Sequence, residues 1–142
     1  MKTSQDMLTS VLKTAQMGQT GIRSVLRSPM SESLEKALRS QLREYDTIET
    51  QAQAIASQRG WQLPELSPGL RRMARLTARA RLSFGSSDAR IAAMMVRGCV
   101  RGVEKGQKEL RRYSRRDPQI SQLSEALLAC ENGGIHRMEG FL

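Results

Sequence analysis

An all-α fold is predicted for this 142-residue chain: an antiparallel four-helix bundle with a long crossover between its second and third long helices. Three features predict it. Four apolar stripes recur every three or four residues, the spacing that places side chains on one face of a helix. The first two stripes are joined by a tight turn at Ser28-Pro29 and the last two by one at Asp117-Pro118, so each pair is expected to form an antiparallel hairpin. Between the hairpins lies a 28-residue interval, residues 60–87, far more than a turn needs. A helix of about fifteen residues within it covers about 22 Å, enough with extended flanks to return along a bundle about 35 to 40 Å long. The second and third long helices then run parallel.

The first long helix is expected from Ser4 as N-cap to about residue 27, with Leu8, Val11, Ala15, Ile22 and Val25 on its apolar face. Pro29 closes it, because proline cannot continue a helix. The second opens at Ser31, with Glu32 and Glu35 opposing the helix dipole, and presents Leu34, Leu38, Tyr45, Ile48, Ala52 and Ile55 up to Gly60. Pro64 and Pro68 keep residues 61–69 from being helical throughout, so this stretch reads as a linker held by Trp61 and by Leu63 or Leu66. A short basic helix follows at residues 70–84. Its expected inward set is Leu70, Met73, Ala74, Ala80 and Phe84, with Arg71, Arg75 and Arg79 stacked outward. Gly85-Ser86-Ser87 breaks it. The third long helix, capped by Ser86 or Ser87 with Asp88 in its first turn, carries Ala92, Val96, Cys99, Val103, Leu110 and Tyr113 and ends near Tyr113 or Arg115. The last starts at Asp117-Pro118 and carries Ile120, Leu123, Leu127, Cys130, Met138 and Phe141.

The length fits one domain spanning residues 1–142. Aromatic residues make up 4% of the chain against 39% for all hydrophobic residues, so the core must be aliphatic, which suits helix packing. No stretch approaches the roughly 18 apolar residues of a membrane span and the first residues lack a signal-peptide pattern, so a cytoplasmic location is expected. Cys99 and Cys130 lack close Cys-x-x-Cys spacing and read as buried reduced thiols. The formal charge of +9 is unevenly placed. Residues 71–116 hold 14 Lys and Arg against three acids, a local +11 that leaves the remainder about −2. Such a patch attracts phosphate polymers, acidic proteins or anionic surfaces.

Halfway along the stripes the apolar pattern gives way to Gln19, then Gln41 and Glu44, then Gly102 and Gly106, then Glu131 and Gly134. In this region Gln16-Met17-Gly18 and Arg43-Glu44-Tyr45, together with the closing Phe141-Leu142, resemble patterns of an uncharacterised bacterial branch of the ferritin-like superfamily. The resemblance covers nearly the whole chain and implies the ferritin-like four-helix bundle, without carrying an activity. In metal-binding members of that superfamily, two helices each supply a Glu and the other two each supply a Glu-x-x-His pair. This chain has Gln19 where the first Glu would stand. Glu44-Tyr45-Asp46-Thr47 and Glu131-Asn132-Gly133-Gly134 both lack the histidine, and Glu104 is turned off its stripe toward solvent.

No metal ligand set, cofactor or catalytic residue is therefore expected. Gln19, Gln41, Glu44 and Glu131 are expected to form a polar layer that fixes helix register. His136, the only histidine, is expected to face solvent. Gly98, Gly102 and Gly106 recur every four residues and predict close packing of the third long helix against a neighbour. The function expected is that of a non-catalytic bundle acting through protein contacts as a homo-oligomer or with a protein partner. One alternative is a divergent di-iron or manganese oxidoreductase or metal store using Glu44 and Glu131. Another is non-specific binding of nucleic acid or an anionic surface through Arg71, Arg72, Arg75, Arg79, Arg97 and Arg101. That alternative rests on charge, since few aromatic residues are available to stack on bases.

Overall fold

The computed structural model of the protein describes residues 2–83, 85–113 and 117–142. It contains five helices, α1 (Ser4–Val25), α2 (Glu32–Gln58), α3 (Pro68–Leu82), α4 (Asp88–Arg112) and α5 (Pro118–Glu139). No strand occurs among the described residues. The expected inward Phe84, the alternative helix end at Arg115, and Arg116 lie outside them. No helix is long and apolar enough to cross a membrane among the described residues.

Each helix starts where a side chain satisfies a free backbone N–H. Thr3, rather than Ser4, caps α1: its hydroxyl accepts from Asp6 N at 3.0 Å while the Asp6 carboxylate accepts from Thr3 N. Ser4 is otherwise engaged, with its hydroxyl 2.6 Å from that of Tyr113. Ser31 caps α2 as expected, and Gly60, with φ of 68°, follows its end in the left-handed region that favours glycine. Ser67 caps α3 with Pro68 in its first turn, so this helix begins two residues earlier than expected. Ser87 and Asp117 cap α4 and α5.

Contacts at the two ends set the helix directions. Asp88 at the head of α4 accepts from Ser31 N at the head of α2, at 3.0 Å. At the other end Arg59, just past α2, forms a two-pronged ion pair with Asp117 at the head of α5. There too Lys2 N donates to Arg112 O at 3.1 Å, joining the head of α1 to the tail of α4. Hence α2 and α4 run in the same direction, antiparallel to α1 and α5. The chain crosses back in two stages. Residues 61–67 climb to the middle of α1, where Leu66 N donates to Gln16 Oε1 at 2.8 Å, and α3 covers the remaining height. Leu66 is buried, Trp61 and Leu63 are half-buried, and Arg59 stacks 5.2 Å from the Trp61 ring centroid. The core is aliphatic, with Leu8, Leu12, Ile22, Leu34, Leu38, Ile91, Ile120 and Met138 fully buried.

The orientation of α3 corrects the sequence reading. Leu70, Met73 and Leu76 are 49, 64 and 56% exposed, and Ala80 is exposed too. The inward line runs instead through Arg71, Ala74, Ala78 and Leu82, of which Ala78 alone is buried and the others are half-buried. α3 packs mainly on α1. Small alanines suit a close helix–helix approach, whereas inward Leu70 and Met73 would hold the helices apart.

Asp117 both caps α5 and pairs with Arg59, and this guanidinium holds its carboxyl below the usual range. Asp117→Ala is expected to lower stability by about 1 to 2 kcal/mol, as lost caps do. Asp117→Asn, which keeps the cap and removes the charge, should lose less. Urea unfolding midpoints at neutral pH check this, and equal losses would show that the ion pair rather than the cap carries the effect.

Candidate functional site

Midway along the bundle, three helices bring polar side chains to one level. α2 supplies Gln41 and, one turn on, Tyr45; α4 supplies Cys99; α5 supplies Glu131. All four are buried, at 2, 3, 4 and 3% exposure. Gln41 Nε2 lies 3.4 Å from both the Tyr45 hydroxyl and the Cys99 sulfur. Glycines make the room. A Cβ on Gly102 would stand 2.7 Å from the Glu131 carboxyl carbon, one on Gly18 would stand 2.5 Å from the Tyr45 ring, and one on Gly134 would collide with the Gln41 amide. A helical glycine costs about 1 kcal/mol relative to alanine, and here the space it leaves is filled by a polar side chain.

The four residues expected to form one layer are divided among three settings. Gln41 and Glu131 belong to the central cluster. Gln19 is buried elsewhere, in the α1–α2 interface, where its amide donates to Glu49 Oε1 at 2.8 Å while Gln16 donates to the other oxygen at 2.8 Å. Glu44 turns outward to the Arg137 guanidinium, which grips both its oxygens at 2.9 and 3.0 Å. Glu44 and Glu131 therefore do not form a shared carboxylate pair. The sequence pattern places Tyr45 and Cys99 on apolar stripes, brings in Gln16 only through the Gln16-Met17-Gly18 resemblance, and does not single out Glu49. The available signal was spacing: Gln16 and Gln19 lie three apart, one turn along the same face of α1.

Burial dominates the electrostatics of the cluster. It pushes the Glu131 carboxyl up to about 7, against hydrogen bonding with Tyr45 and Cys99 that favours the ionised form. Glu131 Oε2 has no hydrogen-bond partner among the described residues. Burial, reinforced by Glu131, raises the Cys99 thiol to about 12 and drives the Tyr45 hydroxyl far above its ordinary value. Burial likewise raises Cys130, with Glu44 and Glu131 adding to it. Both free cysteines are thus buried thiols kept protonated, the opposite of a reactive thiolate. His136 and Glu104 are exposed. Among the described residues, no three His, Cys, Asp or Glu side chains come together as metal ligands.

The glycine repeat of α4 does not act as a unit. Gly102 faces Glu131 and Gly106 faces Leu128, but Gly98 is exposed, with open space where a Cβ would be.

The basic residues surround α3 and open two clefts beside it. One, of about 280 Å³, lies between α3 and the end of α1 and is lined by Arg27, Arg75 and Arg79 with Ser24, Ser28, Leu82 and Ser83. The other, of about 580 Å³, lies between α3 and α4 and is lined by Arg81, Arg90 and Arg97 with Leu82, Ala93 and Met94. Arg72 and Arg101 are exposed outside both, and Arg71 is half-buried. Arg81 and Arg90 belong to the basic stretch 71–116, whereas Arg27 lies outside it and joins the basic surface through the tertiary fold.

A raised carboxyl in the folded state means that the native protein holds a proton which the unfolded chain releases near its ordinary value of 4.5. Stability should therefore fall as pH rises from about 4.5 to about 7 and level off above that, a loss on the order of 3 kcal/mol. Glu131→Gln is expected to remove this decline and to melt above the wild type at pH 8. Parallel melting curves from pH 5 to 8 would contradict it. Gly18→Ala should destabilise by about 1 to 3 kcal/mol, because the enclosed Tyr45 ring cannot move aside. Gly98→Ala, in open space, should instead stabilise by about 1 kcal/mol. Denaturant titration reads both signs.

No family model and no curated protein matches the sequence. Among solved structures the chain is similar to a DUF305 fragment from Deinococcus radiodurans, with a TM-score of 0.75 over 96% of this chain and 93% of that one. The two are 16% identical, so the likeness is one of all-helical fold.

Proposed function

We propose that the protein is a ferritin-like four-helix bundle, with α3 carried on the crossover between α2 and α4, that acts through surface contacts rather than through an internal reaction centre. The observation that carries this reading is the separation of the two carboxylates a di-metal site would share. Arg137 holds Glu44 at the half-exposed surface, while Glu131 stays inside among Gln41, Tyr45 and Cys99, packed against Gly102. Metal-bridging carboxylates must converge and be ionised, and burial favours the neutral form of Glu131. The shared direction of α2 and α4 supports the ferritin-like connectivity. The outer face of α3, with its exposed Leu70, Met73 and Leu76, is the contact surface, open to a second copy or to another macromolecule.

One observation favours the metal alternative: Glu131 Oε2, inside the bundle, has no hydrogen-bond partner among the described residues and could serve as a ligand atom. Metal analysis of protein produced with iron and manganese supplements separates the readings. Less than about one tenth of an equivalent is expected, given the ligand chemistry such a site requires. A stoichiometric metal that Glu131→Gln abolishes would establish the alternative.

A further inference from the structure

We infer that α3 docks the protein on an anionic lipid surface, with its outer apolar row entering the headgroup boundary and the arginines on its two flanks taking lipid phosphates. The inference rests on the reading that the protein works through its surface, and it names the partner. Three observations converge on α3. Its large apolar side chains face outward: Leu70, Met73 and Leu76 are all about half exposed or more, and Ala80 continues the row. The helix and its flanks, residues 66–87, hold five arginines and no Asp or Glu. On one side of α3 lies the cleft of Arg27, Arg75 and Arg79, and on the other that of Arg81, Arg90 and Arg97. None of these six takes part in an ion pair among the described residues.

The shape and the charge select the occupant. An acidic partner helix would call for an apolar groove, whereas α3 is a ridge with a cationic cleft on each side. A nucleic acid would engage the arginines but leave the apolar row in water. A bilayer surface uses both, since a helix lying in the interface buries an apolar face while its basic residues meet anionic headgroups. Buried Ala78 seats the helix on the bundle, and Gln16 fixes the linker just before it, so the row is held outward before any lipid is met. Ser24 and Ser83 in the smaller cleft donate their hydroxyls to Thr20 O and Ala80 O, which leaves Ser28 as the hydroxyl donor beside its arginines, a set suited to phosphate oxygens.

Co-sedimentation with vesicles tests this, comparing phosphatidylcholine alone with phosphatidylcholine containing about one third phosphatidylglycerol. At low salt, binding to the anionic vesicles is expected to exceed binding to the neutral ones at least about tenfold and to weaken as salt is added. Met73→Glu with Leu76→Glu changes only exposed positions, so the melting curve should be retained while vesicle binding falls at least about tenfold. Arg75→Gln, Arg79→Gln and Arg81→Gln together should do the same. No binding to anionic vesicles at low salt overturns the proposal. So does binding that the Met73 and Leu76 changes leave intact while duplex DNA is bound equally well, which points to a phosphate polymer. A dimer that those two changes dissociate, with no vesicle binding, assigns the face to a second copy. Failure of the surface-contact reading shows separately, as stoichiometric metal held by Glu131.

Discussion

Keeping the carboxyl group of Glu131 inside a bundle of aliphatic side chains imposes two conditions on the structure around it. The first concerns charge, because an ionised carboxylate without a cation is costly to desolvate, and the group answers burial by holding its proton up to about pH 7. The second is space, which Gly102 provides on the facing helix. The same arrangement recurs twice at this level, with Gly18 admitting the Tyr45 ring and Gly134 admitting the Gln41 amide. Each polar side chain thus lies opposite a missing one on another helix. A shift of one helix by a turn would set side chain against side chain and leave polar groups unpaired, so the cluster holds α1, α2, α4 and α5 in register.

The second organising constraint is topological. The chain leaves α2 beside Asp117 and must begin α4 beside Ser31, at the opposite end of the molecule. The return is divided between an extended stretch and a helix, and Gln16 marks the junction. Its amide oxygen takes the Leu66 N–H while its amide nitrogen holds Glu49 on α2. One side chain therefore ties α1, α2 and the crossover together. Together with the alanine seat of α3, that tie places a strongly basic helix on the outside of the bundle with its large apolar residues turned away from the core.

Interior and exterior consequently have different characters. Inside, every ionisable group of the central cluster is driven by burial toward its uncharged form, which suits fixing geometry and does not suit nucleophilic or redox chemistry. Outside, arginine-lined clefts flank α3 on both sides, and exposed apolar surface is present on the same helix. An exposed apolar row bordered by charge of one sign is the feature of this molecule that most calls for a partner.

The sequence alone determined the existence and type of the helices, the two hairpins and the need for a long return between them. Those follow from local rules: apolar spacing at Leu34, Leu38 and Tyr45, caps at Ser31 and Asp117, and stops at Pro29 and Gly60. It also marked Gln41 and Glu131 as interior polar residues, since each interrupts a stripe that otherwise faces the core. Only the tertiary structure decided which polar residues meet. Gln19 and Glu44 lie at similar heights to Gln41 and Glu131, but the angle of each side chain around its helix sends the one to Glu49 and the other to Arg137. The same limit reversed the reading of α3, where the apolar pattern pointed Leu70 and Met73 inward and the closeness of α1 favoured alanine there instead. A one-dimensional pattern shows which faces a helix has, whereas the distance to its neighbour decides which face fits.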